Sequence, residues 1–430
     1  MYQAIVESQG DLQPERNRLV TRLLAATVGR GSTGWAAGYL YAAAHGVYMA
    51  VVLAVLAVHE HMSPARALQR WDGLIYQRIA AHGYQSHFTY YPDGKPTRMD
   101  IAFFPLYPFA MRALSTVTRL PLEASGVLIS VLAGIAAAVG IALLVEPRFG
   151  RTTALLSVAL WAVGVDAMIQ SMVYVQSLIA AFAVWTVIAL VRRRWGLATV
   201  LVVLAGLCHS TAVALVATVE VVALLNLVRV VRVVRRGREA RESATAERRG
   251  ARSVAGLVAT AAVAPLGIVA YWTFLALRFH RWDAWFYAES APGWDSKLDL
   301  GKYSVKTLLS QLDGSDLGHG TVTEAHLIAT LWIVPAVVIC LLLARDLLRG
   351  RRVPWQLSVL TIVTVALALG DSGPWAGKPR FFIPAVGLAV LPAAWLARRS
   401  AVTRGLVVTV VGAVSVLCCA FMIGVSPVAP

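Results

Sequence analysis

The sequence predicts an all-α protein that crosses a membrane many times, and three observations predict it. Hydrophobic residues make up 58% of the 430 positions against 14% charged ones, a balance that no soluble core of this length needs. Apolar runs long enough to cross a bilayer recur along the chain. No ten-residue alternation of the barrel type accompanies them, so helices are the way to satisfy every backbone amide in hydrocarbon. The expected fold is a polytopic helical bundle of about 11–13 spans.

Taken in order, a polar N-terminal segment (1–35) precedes spans at 36–58, 101–118, 125–146, 152–168, 171–191, 197–226 and 254–278. A large polar loop (279–325) leads to spans at 326–345, 355–370, 380–397 and 402–424, which form a C-terminal unit over 326–430. Residues 36–278 read as the catalytic module, with a first outer loop at 59–100 and a basic loop at 227–253. Because the residues before the first span are polar and show no small-residue cleavage site, that span is expected to remain as an anchor. The net charge of +16 is explained by where the arginines lie. Arg16, Arg18 and Arg22, the run from Arg229 to Arg252, Arg349, Arg351, Arg352, Arg398, Arg399 and Arg404 mark cytoplasmic turns, whereas the 279–325 loop collects Asp283, Glu289, Asp295, Asp299, Asp313, Asp316 and Glu324. A multi-pass plasma-membrane protein follows, with its N-terminus in the cytoplasm and its C-terminus outside; nucleic acid is not an expected partner.

Arg192, Arg193 and Arg194 fall on the wrong side of that scheme. The polar interruption Cys208, His209, Ser210, Thr211 allows 197–226 to be two half-length helices, which repairs the sign and upsets the parity. Either 101–168 then holds a segment that does not cross, or an arginine turn faces outward. Cys208, Cys340, Cys418 and Cys419 lie in or near apolar runs and suggest neither disulfides nor zinc. No nucleotide fingerprint, phosphate-cradling glycine loop or internal repeat is found. No cofactor is expected, and a divalent metal is left open.

The chemistry concentrates after the first span, in RWDGLIYQRIAAHGY from Arg70 and MDIAFFPLYPF from Met99. Trp71, Leu74, Ile75 and Ile79 follow helical spacing, while Asp72 and Tyr76 lie one turn apart on another face. Such an amphipathic juxtamembrane helix would put its apolar face in the headgroups and Asp72 toward a cavity. Its first turn favours a carboxylate. The competing reading makes Trp71 an interfacial anchor and Asp72 a helix-terminal acid. Asp100 could cap a helix, bind a sugar hydroxyl or act as an accessory base. The 279–325 loop repeats Arg-Trp-Asp at Arg281-Trp282-Asp283 and adds Trp285, Tyr287, Glu289 and Trp294. Aromatic faces beside acids suit a sugar or headgroup, an amphipathic surface helix being the plainer alternative. Its length suggests a cover over the site.

The block Trp71-Asp72, Tyr76, Gly83-Tyr84 and Phe103-Phe104-Pro105-Leu106-Tyr107-Pro108 resembles the PIG-V family of lipid-linked mannosyltransferases, members of the GT-C class of polytopic glycosyltransferases. Tyr174-Val175-Gln176-Ser177-Leu178 is similar to the family's Tyr-x-Glu-Ser-Leu segment, with Gln176 where an acid is usual. His209-Ser210-Thr211 stands where an Arg-Ser-Asn-Gly-like turn is usual, and Lys378-Pro379-Arg380-Phe381 matches a late Pro-Arg-Tyr or Pro-Arg-Phe element. The resemblance implies a GT-C bundle, a polyprenyl-phosphate sugar donor, a glycolipid or glycan acceptor, membrane lipids as surroundings, and Asp72 as catalytic carboxylate with Asp100 as second acid. Arg380, Lys378, Arg98 and His209 are the candidates to meet the lipid phosphate, and Trp71, Tyr76, Tyr107, Tyr174, Gln176 and Trp285 complete the candidate binding residues. The preference for arginine over lysine points to a GC-rich, actinobacterial source and a bacterial polyprenyl carrier. A lipid flippase and a non-catalytic assembly subunit are the rival functions. A flippase should carry paired ionisable residues at mid-membrane in both halves, and the replaced family-like acid and arginine are what favour the subunit reading.

Overall fold

The structure, a computed structural model, describes residues 31–236, 244–315, 321–350 and 352–429. Most of the expected N-terminal segment 1–35 and the centre of the basic loop 227–253 lie outside the described residues. Those residues are helical, with two isolated β-bridges, Tyr90 to Pro96 and Leu298 to Asp371, and no strand. Six helices are long and apolar enough to cross a bilayer, and the pair Trp375–Phe382 with Val386–Leu396, bent by 80°, makes a possible seventh. Gln176–Val191, Trp195–Gly206 and Trp355–Leu369 are apolar but shorter.

The direction of each pass is fixed by side-chain contacts. α1 (Gly31–His59) runs to the end of the bundle where α2 (Pro64–Leu68) and α3 (Asp72–His82) begin, called here the site end. α4 (Leu106–Thr118) leads into α5 (Leu122–Ala162), whose first half lies antiparallel to α1. Tyr41 packs on Gly134, Gly34 meets Val139 and Leu143, and Thr33 Oγ1 donates to Glu146 at 2.6 Å. Leu122 is therefore at the site end. α5 breaks at Gly150, whose φ of 79° no L side chain adopts cheaply, so one stretch of sequence supplies the two spans expected at 125–146 and 152–168.

α6 (Gln176–Val191) runs parallel to the first half of α5, because Ser130 Oγ donates to the Tyr174 carbonyl and Trp185 Nε1 to that of Ala136. That brings Arg192, Arg193 and Arg194 to the same end as Arg148 and Arg151, the basic end. α7 (Trp195–Gly206) returns to the site end, where Leu106 N–H donates to the Leu207 carbonyl at 2.9 Å. α8 (Ala212–Arg236) descends again. α9 (Ala244–Val263) and α10 (Leu266–Phe279) climb beside α7, with Thr260 bonded to Thr199 and Gly267 against Val203. α11 (Ala284–Glu289) and α12 (Lys302–Leu312) lie at the site end. α13 (Thr321–Arg349) and α14 (Trp355–Leu369) go down and back. The broken segment ending in α15 (Val390–Leu396) descends, and α16 (Ala401–Gly424) rises parallel to α1, Ser415 meeting Tyr48 and Gly424 meeting Leu56.

The described chain thus makes eleven passes. The expected span at 101–118 is not among them: a 3-10 turn at Asp100–Ala102 takes up its start, and the 13-residue α4 that follows Pro105 begins and ends at the site end, too short to cross. The 197–226 run is two passes meeting at 207–211. One segment fewer and one more restore the parity, and Arg192–Arg194 fall at the same end as the described arginine turns expected in the cytoplasm. α3 also differs from the flat surface helix expected. Gly73, Tyr76, Ile79 and Ala80 are buried against the bundle, and of the supposed lipid-facing set Leu74 alone is largely exposed, at 57%. Tyr76 is wedged edge-on between Phe103 and Tyr107, at 5.1 and 5.0 Å between ring centroids, which clamps α3 into the bundle.

Candidate active site

Two chain segments from opposite ends of the sequence meet at the start of α3. Trp71 adopts φ 62°, ψ −120°, a conformation costly for a bulky residue and found where the surroundings impose it. It turns the chain so that the Asp72 N–H points at the Tyr174 hydroxyl, 3.2 Å away. The 172–175 strip that carries Tyr174 is itself pinned beneath α2 and α3. Val173 N–H donates to the Leu68 carbonyl at 2.9 Å, and the Gly73 Cα leaves little space above Val173. From the far side comes Arg380, on the 3-10 turn Pro379–Phe382, with its Nη1 3.4 Å from Asp72 Oδ2. Both side chains keep about a sixth of their surface exposed, 16% for Arg380 and 17% for Asp72, so the pair is sheltered yet reachable.

Arg380 is the electrostatic centre of the site. Besides Asp72, the charges and hydroxyls acting on it are Tyr174, Tyr76 and Asp166, and its guanidinium lies 5.0 Å from the Phe381 ring. Asp166 is 4% exposed, left-handed at φ 43°, and its Oδ2 has no hydrogen-bond partner among the described residues. Sequence reasoning passed over it, although an acid inside a predicted span was the signal that should have marked it. Glu289, at the end of α11, is near enough to the site for the charges of Asp371, Asp72 and Arg380 to act on its carboxyl. Burial first, then the two acids, push the Glu289 carboxyl up to about 8.

The other expected residues divide into those at this centre and those that brace it. His209 lies between α7 and α8, its ring 5.7 Å from Phe381, and Nδ1 accepts from the Thr211 N–H at 3.1 Å, which leaves Nε2 as the donor. Gln176 opens α6 with a buried Oε1 that has no partner among the described residues. Tyr107 donates to the Gly126 carbonyl and meets Ser130, joining α4 to α5. Lys378 is 1% exposed and spends its ammonium on the carbonyls of Ala368 and Asp371, at 2.8 and 2.5 Å; it ties the broken segment to the end of α14.

Asp100 sits apart from Asp72. Its carboxylate accepts from Gln85 N–H at 3.2 Å and lies 3.7 Å from Arg78, while burial raises its pKa above the usual carboxylate value. Arg98 donates to the Pro292 carbonyl at 3.2 Å, and Trp285 to that of Ala102 at 3.2 Å, packed between Trp272 and Phe286. These contacts tie the 279–301 part of the large loop to the first loop. On the other flank Ser296 Oγ donates to Asp371, Asp299 N–H to Gly370, and Ser372 N–H to Lys297. The result is a roof fastened on two sides. Beside it an apolar groove of about 670 Å³ runs between α12, α13 and α14, lined by Leu298, Val305, Ile333, Val337, Ile362 and Trp375 among others. No group of three or more His, Cys, Asp or Glu side chains among the described residues is arranged to hold a metal ion.

No protein-family model matches the chain, and no curated protein matches it. Solved structures similar in backbone include the following two. One is ArnT from Cupriavidus metallidurans bound to undecaprenyl phosphate, at 15% identity and a TM-score of 0.47, covering 87% of this chain and 62% of that one. The other is the apo oligosaccharyltransferase of Archaeoglobus fulgidus, at 13% identity and a TM-score of 0.40, covering 90% of this chain and 56% of that one. The chain spans less than two thirds of either.

Proposed function

We propose that this protein is a GT-C-type membrane glycosyltransferase that moves a sugar, mannose on the PIG-V resemblance, from a polyprenyl phosphate to a lipid-linked or glycan acceptor. In this reading the basic end is cytoplasmic and the site end faces outward. The observation that carries it is the pairing of Asp72 with Arg380, the carboxylate and the cation that the sequence resemblance singles out separately, under a roof of aromatic residues and acids. Asp72 takes the proton of the acceptor hydroxyl as its oxygen attacks the anomeric carbon. The bond from that carbon to the phosphate oxygen breaks, and polyprenyl phosphate departs with the electron pair, inverting the configuration. Arg380 meets the phosphate charge, helped by the Nε2 donor of His209. When phosphate draws the guanidinium, the Asp72 oxygen that it engages becomes available to the acceptor.

The gathering of acids at one end of the bundle supports transfer over transport, which would call for ionisable groups at mid-membrane in both halves. The test is transfer from polyprenyl-phosphate mannose by the purified protein in lipid. Asp72→Asn keeps the shape and the Tyr174 contact, so turnover should fall by roughly 10²-fold or more while donor binding persists. Wild-type turnover in that variant would overturn the mechanism, because Asn terminates a helix as well as Asp does.

A further inference from the structure

The passes keep their charged residues near their ends, and α8 breaks that pattern at Glu220. The apolar part of α8 runs from Ala212 at the site end to Arg229. At 1.5 Å per residue Glu220 lies roughly 12 Å from the first and roughly 13 Å from the second. Neither boundary is within reach of a glutamate side chain, so its carboxyl stays in the middle of the hydrocarbon. Glu220 is exposed there, and its carboxyl makes no hydrogen bond or ion pair among the described residues. A carboxyl turned toward acyl chains is costly, and an acid in that position calls for a partner inside the membrane.

The residues around Glu220 describe that partner. Val213, Ala217, Glu220, Leu224 and Leu227 form one outward stripe, spaced four, three, four and three residues apart. This is the heptad spacing that keeps one helix face against a parallel neighbour. Val213, Leu224 and Leu227 are 38, 59 and 43% exposed, while Ala214, Leu215, Thr218, Val219 and Val222 on the opposite side are buried in the bundle. Ala217, one turn from Glu220, is small enough for two backbones to close together.

We propose that this stripe is an interface between two copies of the chain, related by a two-fold axis normal to the bilayer, with their Glu220 carboxyls hydrogen-bonded to each other. Across such an axis each residue meets its own counterpart at the same depth, so the polar group at the centre must be complementary to itself. A carboxylic acid is, since each O–H donates to the other's carbonyl oxygen. Among the described residues no cationic side chain lies at that depth on the lipid-facing surface, so no other face of a second copy answers Glu220. One polar residue in an apolar seam also fixes the register and the number of helices that meet. The interface is independent of which sugar or acceptor the protein handles.

The experiment follows association of the full chain in phosphatidylcholine liposomes by energy transfer between donor-labelled and acceptor-labelled copies, over a range of protein-to-lipid ratios. Wild type should associate as a dimer. Glu220→Ala should need about tenfold more protein per lipid for half association, the scale of one interhelical hydrogen bond. Glu220→Gln, whose amide both donates and accepts, should stay within about threefold of wild type. In oxidised membranes Leu224→Cys should give a disulfide-linked dimer, and Leu341→Cys, 66% exposed on α13, should not. Wild type that stays monomeric at every ratio overturns the interface, as does a Leu224→Cys variant that forms no cross-link. Glu220→Ala that associates as wild type does removes Glu220 from it. A Glu220-dependent complex of one copy with a different membrane protein overturns the assignment to a second copy.

Discussion

At Asp72 the protein sets a carboxylate on a backbone that resists its own conformation. Trp71 is held at positive φ by the strip beneath it, and strain of this kind, on the order of 1–3 kcal/mol, persists where a site over-determines it. The Asp72 neighbourhood was legible as a place where chemistry collects, because a Trp-Asp pair after the first span stands out among apolar residues. Its partner was not legible from spacing. Asp72 and Arg380 are brought together by the tertiary path of α14 and the broken segment; the sequence marks Arg380 through the family resemblance and its place at an expected outer boundary, not through any link to Asp72. Glu289 was harder still, since its significance comes from the charges that the fold gathers around it, which a lone acid in a sequence does not announce. Glu289 carries a prediction of its own. Its carboxyl binds its proton up to about 8 in the folded protein against an ordinary 4.5, so between those values the folded state holds more protons than the unfolded one. Stability from this group therefore falls as pH rises through that window. Thermal unfolding of Glu289→Gln in detergent should match wild type near pH 5 and gain on it steadily toward pH 8. A constant difference across that range would contradict the raised Glu289 pKa.

The elements show where helical patterning informs and where it misleads. The apolar runs located most passes. The break at Gly150 in α5 falls between the two spans expected at 125–146 and 152–168, and the break at 207–211 falls on the polar interruption Cys208–Thr211 that allowed two helices in 197–226. The run 101–118 is apolar enough to predict a crossing, but α4 starts against Leu207 at the site end and hands over to α5 at the same end. The close crossing of α7 and α10 depends on size. A Cβ at Gly267 would fall on the Val203 carbonyl oxygen, and one at Gly206 would come within 2.9 Å of the Ile268 amide, backbone that cannot rotate aside. Small residues at such crossings let membrane helices approach. Gly267→Ala should cost about 1–3 kcal/mol through overpacking, read as a lower unfolding temperature and less folded protein on size exclusion. Leu277→Ala, on an exposed position of the same helix, should change neither. Equal behaviour of the two variants would show that the crossing tolerates a side chain.

For the whole molecule, eleven passes put Gly31 and Gly424 at opposite ends, and they reconcile the arginines that the sequence alone left in conflict. Arg192–Arg194 join Arg148, Arg151 and the later arginine turns at one end once α4 is removed from the count and 197–226 is counted twice. The sign conflict in the sequence was therefore real information about a miscounted pass. A cysteine at Arg193 should resist a membrane-impermeant thiol reagent in intact cells, and one at Trp282, which is 85% exposed, should react. The reverse pattern would invert the molecule, and labelling of both would disprove the pass count.

The fastened roof has a consequence for how such a protein meets its substrate. The large loop is tied to the first loop through Arg98 and Trp285 and to the end of α14 through Ser296 and Ser372, and an apolar groove between α12, α13 and α14 lies beside this roof, where the proposed lipid donor would meet the protein from the bilayer. A lipid arriving there diffuses in two dimensions. The concentration that governs encounter is then its mole fraction in the leaflet, so that diluting it with inert phospholipid at fixed total amount should slow the reaction, while diluting the whole suspension with buffer should leave the rate per protein unchanged.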